Sequence, residues 1–214
     1  MTAYFFKGVD KGRLRKFCAV RDSLDNLKNV LNLVELINTC AHCKIKNYDK
    51  GFDFVIFSGE YSRALIRKTD GFFTMAIPFQ IVDDGRLYFN YDEFGIEVDG
   101  RLISILRNAI STSKLGKNSH EEIIISLVDS FGLEVHEATY FYDTFAKLTM
   151  EDHGYFRFDD DPKNQNGKIH PRYHFDFFLK DSSSVKIGSE KLIDIESFYA
   201  LFDGTREKHY LREL

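Results

Sequence analysis

At 214 residues, with 43% of them hydrophobic and 21 Phe, the chain is long enough to bury a substantial core in one domain. A formal charge of -4 and a pI near 6.0 exclude the globally basic footprint of a dedicated non-specific DNA binder and leave only a local basic patch open. No run of about 18 apolar residues predicts a transmembrane helix, residues 1–7 lack the three-part pattern of a secretory signal, and three Cys make no disulfide framework, so the expectation is a cytoplasmic protein without a membrane.

Residues 3–8 and 13–20 read as two short strands around a turn at Asp10-Lys11-Gly12. Apolar residues then recur at Leu24, Leu27, Val30, Leu31, Val34, Leu36 and Ile37. That spacing predicts a long N-terminal helix, capped by Asp22 or Ser23 and ending near Cys40. Residues 52–57 read as a strand. Residues 72–82 and 86–91 read as a second hairpin around Asp83-Asp84-Gly85. Pro78 inside its first arm predicts an edge or a bulge, because proline donates no ladder bond. Residues 94–98 add a short strand, and Leu102, Ile103, Ile105, Leu106, Ala109 and Ile110 favour a helix over 101–110.

Ser119-His120-Glu121-Glu122 fits a capping box opening a helix to about Phe131, and Gly132 is placed to end it in a left-handed conformation. A second helix from about Glu134 to Leu148 completes a central αα-hairpin. Residues 154–159, 171–180 and 184–188 read as a meander. Residues 192–202 read as a closing helix, and the charged tail from Gly204 frays. Strands and helices in blocks favour an α+β fold with mainly antiparallel sheet. Residues 1–214 read as a single domain, with a C-terminal β-meander subdomain over 150–203 as an option.

The stretch His170-Pro171-Arg172-Tyr173-His174-Phe175-Asp176-Phe177-Phe178 alternates ionisable and aromatic residues. A period of two marks a half-buried strand. The strand Gly154-Tyr155-Phe156-Arg157-Phe158-Asp159 alternates in the same way. Paired antiparallel across the polar loop 160–169, the two strands would bring Arg157 near Arg172 and Asp159 near His170, give or take a register step. One sheet face would then gather Arg157, Asp159, His170, Arg172, His174 and Asp176.

Those residue types suit metal-independent cleavage of RNA. Imidazole exchanges protons near neutral pH, so His174 serves as the first general base or acid and His170 as the second. Arg157 and Arg172 offer planar forks for phosphate. Asp159 or Asp176 holds one imidazole in its tautomer. The 2′-OH supplies an internal nucleophile. No cofactor is implied, since no Gly-rich phosphate loop and no G-x-S-x-G elbow are present. His170, His174 and Asp176 resemble a two-His, one-carboxylate metal set, but roughly 13 Å along an ideal strand separates the two His, which argues against one shared ion. The bland reading of the face is a solvated row of weak cross-strand ion pairs.

Arg157-Phe158-Asp159 followed by His170-Pro171-Arg172-Tyr173-His174-Phe175 resembles a pattern in several uncharacterised bacterial families, in which an Arg-(Phe/Tyr)-Asp strand precedes a His-Pro-x-x-His strand. The resemblance covers about the last third of the chain. Such families tend to occur near mobile elements, toxin–antitoxin pairs and phage-defence genes, which implies a toxin or defence component without assigning a catalytic residue. The competing expectation is a non-catalytic adaptor, antitoxin or inhibitor that binds a protein partner. Cys40-Ala41-His42-Cys43 lacks the second ligand pair that structural zinc needs and reads as ordinary reduced cysteines. His153 is placed to reach the candidate face, while Ser182-Ser183-Ser184 reads as a turn and His209 as a tail residue.

Overall fold

The computed structural model describes residues 1–91, 95–151, 154–178 and 184–208. His153, His209, Ser182, Ser183 and the start of the expected strand at 94 lie outside the described residues. In chain order the first elements are β1 (Thr2–Phe6), α1 (Lys11–Leu14), α2 (Ser23–Thr39), β2 (Lys44–Ile45), β3 (Phe54–Ser58), β4 (Arg63–Lys68) and β5 (Gly71–Ala76). Then follow β6 (Gln80–Asp83), β7 (Leu87–Asn90), α3 (Gly100–Lys114), α4 (His120–Phe131), α5 (Val135–Met150), β8 (Phe156–Asp160), β9 (Tyr173–Phe178), β10 (Ser184–Ser189) and α6 (Ile195–Ala200). The fold is α+β, and every strand pair among the described residues is antiparallel. No helix among the described residues is long and apolar enough to cross a membrane.

The chain forms two compact units. One is built from residues 1–15, 42–77 and 153–214, the other from residues 16–41 and 78–152. The first holds an eight-stranded sheet in the order β10-β9-β8-β5-β4-β3-β1-β2. One face of this sheet packs Phe5, Val55, Phe57, Leu65, Phe158 and Phe175 with Phe198, Tyr199 and Phe202 from α6 and its exit. Residues two apart on a strand share a face, so alternation on each strand assembles a continuous apolar layer for the helix to cover. Gly71 lies at φ +149 where β5 meets β8, and a Cβ there would stand 1.9 Å from the Phe158 carbonyl oxygen. Only glycine lets those two backbones approach.

The second unit holds the β6–β7 hairpin with α2, α3, α4 and α5. Asp22 caps α2, accepting from Asp25 N–H at 2.6 Å. α4 begins at the reciprocal bonds of Ser119 and Glu122 and ends at Gly132 in the left-handed region, φ 62. These satisfy backbone groups that a helix end otherwise leaves open.

Three local expectations are corrected, the first being the strand at 94–98, whose described residues make only an isolated bridge between Glu97 and Asn90. Residues 13–20 form no strand, because Asp10 accepts from Arg13 N–H and starts the short α1 instead. The arm 72–82 is two strands, β5 and β6, in different sheets, and Pro78 falls in the break between them. β4, whose residues show no clean alternation, went unpredicted, and it pairs along its whole length with β5.

Candidate active site

The site rests on β8, β9 and β10. β8 and β9 pair as Phe156–Phe177, Arg157–Asp176, Phe158–Phe175 and Asp159–His174. β10 adds Lys186 opposite Asp176 and Gly188 opposite His174. The Phe residues face α6, and Arg157, Asp159, His174, Asp176 and Lys186 share the other face.

The register differs by four residues from the expected Arg157–Arg172 and Asp159–His170 pairing. An even shift keeps every side chain on its face, so the polar row survives with new neighbours. The cause is the connection between β8 and β9, which has hydrogen bonds of its own. Asn166 N–H donates to His170 O at 2.9 Å, His170 N–H returns to Asn166 O at 3.1 Å, and Asp161 N–H donates to Arg172 O at 2.8 Å. His170 and Arg172 therefore precede the strand. The chain bends at Arg172, and the rings of His170 and His174 meet edge to face with centroids 4.9 Å apart, far closer than an ideal strand would hold them.

Arg157 joins the two carboxylates. Its Nε lies 2.8 Å from Asp159 Oδ2 and its Nη2 donates to Asp176 Oδ2 at 2.8 Å. Lys186 Nζ reaches Asp176 Oδ1 at 2.6 Å. His174 Nδ1 lies 2.7 Å from Pro171 O. A carbonyl only accepts, so Nδ1 carries the proton, and Nε2 faces Asp176 Oδ2 at 3.5 Å and Asp159 Oδ2 at 3.9 Å. Gly188 leaves room for Pro171, whose Cγ would stand 2.7 Å from a Cβ at that position.

The two carboxyl groups are driven apart. Burial pushes Asp159 up, against the pull of Arg157. Burial acts the same way on Asp176, but hydrogen bonds from Lys186 and Arg157 prevail and hold it below the usual range. Burial acts to lower Arg157, but its bond to Asp176 and the nearby Asp159 charge prevail and raise it, so it stays a cation.

The structure thus brings together Arg157, Asp159, His174 and Asp176, with His170 against the His174 ring. Arg172 is not part of this group. It forms a two-point ion pair with Asp160, Nε to Oδ1 at 2.7 Å and Nη2 to Oδ2 at 3.2 Å, and lies over the Tyr173 ring. Sequence reasoning missed Lys186, although the third meander strand alternates Val185, Lys186, Ile187 and so marks it for the polar face. It also missed Asp161, whose Oδ2 lies 3.4 Å from His170 Nε2.

Compared with known proteins, the chain matches no family model, no curated protein and no solved structure. The chemistry must be read from the side chains. Asp159, His174 and Asp176 each offer one ligand atom, all within 4.8 Å of one another. A divalent ion there would compete with Arg157 for both carboxylates and with Lys186 for one, since the protein's own cations already neutralise them. Exposure divides the imidazoles. His174 is 1% exposed, whereas the His170 side chain is 30% exposed. Of the pair, His170 is the one with exposed ring surface, although its Nε2 is buried and faces Asp161. Cys18, Cys40 and Cys43 are all free thiols.

Proposed function

We propose that the chain is a metal-independent, ribonuclease-like nuclease of single-stranded RNA, working in the cytoplasm as part of a bacterial toxin or phage-defence system. The observation that supports this reading is the contact between the partly exposed His170 and the buried His174, with a carboxylate beside each. Rings in edge contact leave no room for a phosphate between them, so one imidazole serves both proton transfers. His170 Nδ1, the ring nitrogen not buried against Asp161, accepts the 2′-OH proton as that oxygen attacks phosphorus, and the resulting imidazolium returns it to the departing 5′-oxygen, leaving a 2′,3′-cyclic phosphate. His174 is a positioning residue, held by Pro171 O and by the Asp159–Arg157–Asp176 cluster. Arg172 is exposed and would exchange Asp160 for the substrate phosphate, which its planar fork also matches at two points.

The test is cleavage of a labelled oligoribonucleotide in EDTA. Wild type should yield cyclic-phosphate ends, and His170→Ala should be slower by about 100-fold or more, as for loss of a general base. Equal rates for the two proteins would refute the reading. Cleavage only with added Mg²⁺ would move the chemistry to Asp159, His174 and Asp176.

A second reading, a non-catalytic adaptor, antitoxin or inhibitor, is favoured by one observation. β10 ends the sheet, and its Val185 and Ile187 are 41% and 37% exposed. An apolar edge of this kind accepts a strand from a protein partner.

A further inference from the structure

The opposite edge of the same sheet, at β2, is basic. Residues 1–15 and 42–53 carry seven Lys or Arg against three Asp, in a chain whose formal charge is -4. The fold gathers them. β1 and β2 pair through Phe5–Ile45 and Phe6–Lys44, and Lys7 N–H donates to Cys43 O at 2.9 Å. Lys7 Nζ meets Asp49 Oδ2 at 2.5 Å, which ties the loop bearing Lys46 and Lys50 to the end of β1, and α1 follows directly.

All three Asp are committed. Asp10 accepts from Arg13 N–H at 3.1 Å, Asp53 accepts from Val9 N–H at 2.9 Å, and Asp49 holds Lys7 and accepts from Gly51 N–H at 2.6 Å. Lys11, Arg15, Lys46 and Lys50 are exposed and make no ion pair among the described residues. Lysines on an edge strand often serve only to stop sheets joining edge to edge. That does not account for these four, which lie on α1 and in loops rather than on β2.

We infer that this edge holds the phosphate backbone of a single-stranded nucleic acid. Unneutralised cations on a surface attract a polyanion and displace its counterions. β2 and β9 are six strand spacings apart, about 29 Å at roughly 4.8 Å each. One extended polymer therefore reaches both the basic edge and His170. The choice of polymer rests on the nuclease reading, whereas binding is measured without turnover.

The experiment uses full-length His170→Ala protein and a fluorescein-labelled oligouridine of about 20 nucleotides, followed by anisotropy from 50 to 200 mM NaCl. Four cations at about 0.7 each predict a slope near -3 for log affinity against log salt. Lys46→Glu with Lys50→Glu should weaken binding by about tenfold or more and bring the slope toward about -1.5. Arg101→Glu with Lys117→Glu, the same charge change on the other unit, should leave affinity within about twofold. Should the first pair fail to fold by circular dichroism, Lys11→Ala with Arg15→Ala reads the same edge. Absent salt-dependent binding, an equal loss in the control pair, or tighter binding to phosphatidylserine vesicles than to oligouridine would each overturn the inference. Cleavage by wild type without this binding refutes the edge alone, and binding without cleavage refutes the nuclease reading alone.

Discussion

Replacing Arg157 with Met keeps the packing of the stem and removes the charge between two carboxylates. Two charge-assisted contacts at 2.8 Å disappear. Asp176 retains Lys186, but Asp159 is left with its Oδ1 buried and without a hydrogen-bond partner among the described residues. Charge-assisted bonds contribute about 1.5–3 kcal/mol each, and breaking one member out of a buried ion pair costs about 3–5 kcal/mol. With the arginine side chain 23% exposed, solvent screening brings the expectation to about 3 kcal/mol at pH 7.

The loss should depend on pH. Asp159 already binds its proton more tightly when folded than when unfolded, so its contribution favours folding at low pH and is lost as pH rises through its folded value. Without Arg157 that value climbs further. Asp176 behaves in the opposite sense, contributing stability above its unfolded value and losing it as pH falls through its depressed folded value. The difference between Arg157→Met and wild type should therefore shrink as pH drops toward about 4, where carboxyl groups protonate. Native-state hydrogen exchange of the β8 and β9 amides reads this locally, without assuming that the two units unfold together. Adding Asp159→Asn should recover about 1 kcal/mol or more at pH 7. A loss under about 0.5 kcal/mol, or one that does not change with pH, would mean that solvent rather than Arg157 stabilises these carboxylates.

Gly71→Ala should destabilise the sheet by about 3 kcal/mol, since a Cβ 1.9 Å from the Phe158 carbonyl forces β5 and β8 apart; thermal unfolding checks it. Gly188→Val should displace Pro171 and release His174 Nδ1, costing about 2 kcal/mol and broadening the His174 ring resonances in NMR spectra. Ser119→Ala removes one half of the α4 capping box and should cost about 1 kcal/mol, seen as faster exchange in the first turn of that helix with no change at β8–β10.

The α+β class was legible because each element carries a local signal. The capping box at Ser119 and the left-handed Gly132 need only neighbouring residues to act, and both stand as read. The aromatic and polar faces of β8 and β9 were legible for a related reason, since alternation alone assigns faces. What pairs with what was not. The four-residue register shift comes from hydrogen bonds inside the 161–172 connection, which no alternation encodes. The same bend removed Arg172 from the cluster and brought His170 onto His174. β4 hid because strands with both faces buried lose their alternation, and Ala64, Leu65 and Ile66 are all fully buried.

The strand order has a consequence for synthesis on the ribosome. β5 takes β8 as its outer neighbour, yet about 80 residues separate them along the chain. At roughly 5–20 residues per second, Gly71–Ala76 waits about 4–16 s for that partner. Throughout that interval Phe72, Phe73 and Met75 line an open, unbonded rim, and nascent chains on neighbouring ribosomes carry the same rim. Yield in the cell should thus hinge on how well chaperones shield this one strand while translation finishes.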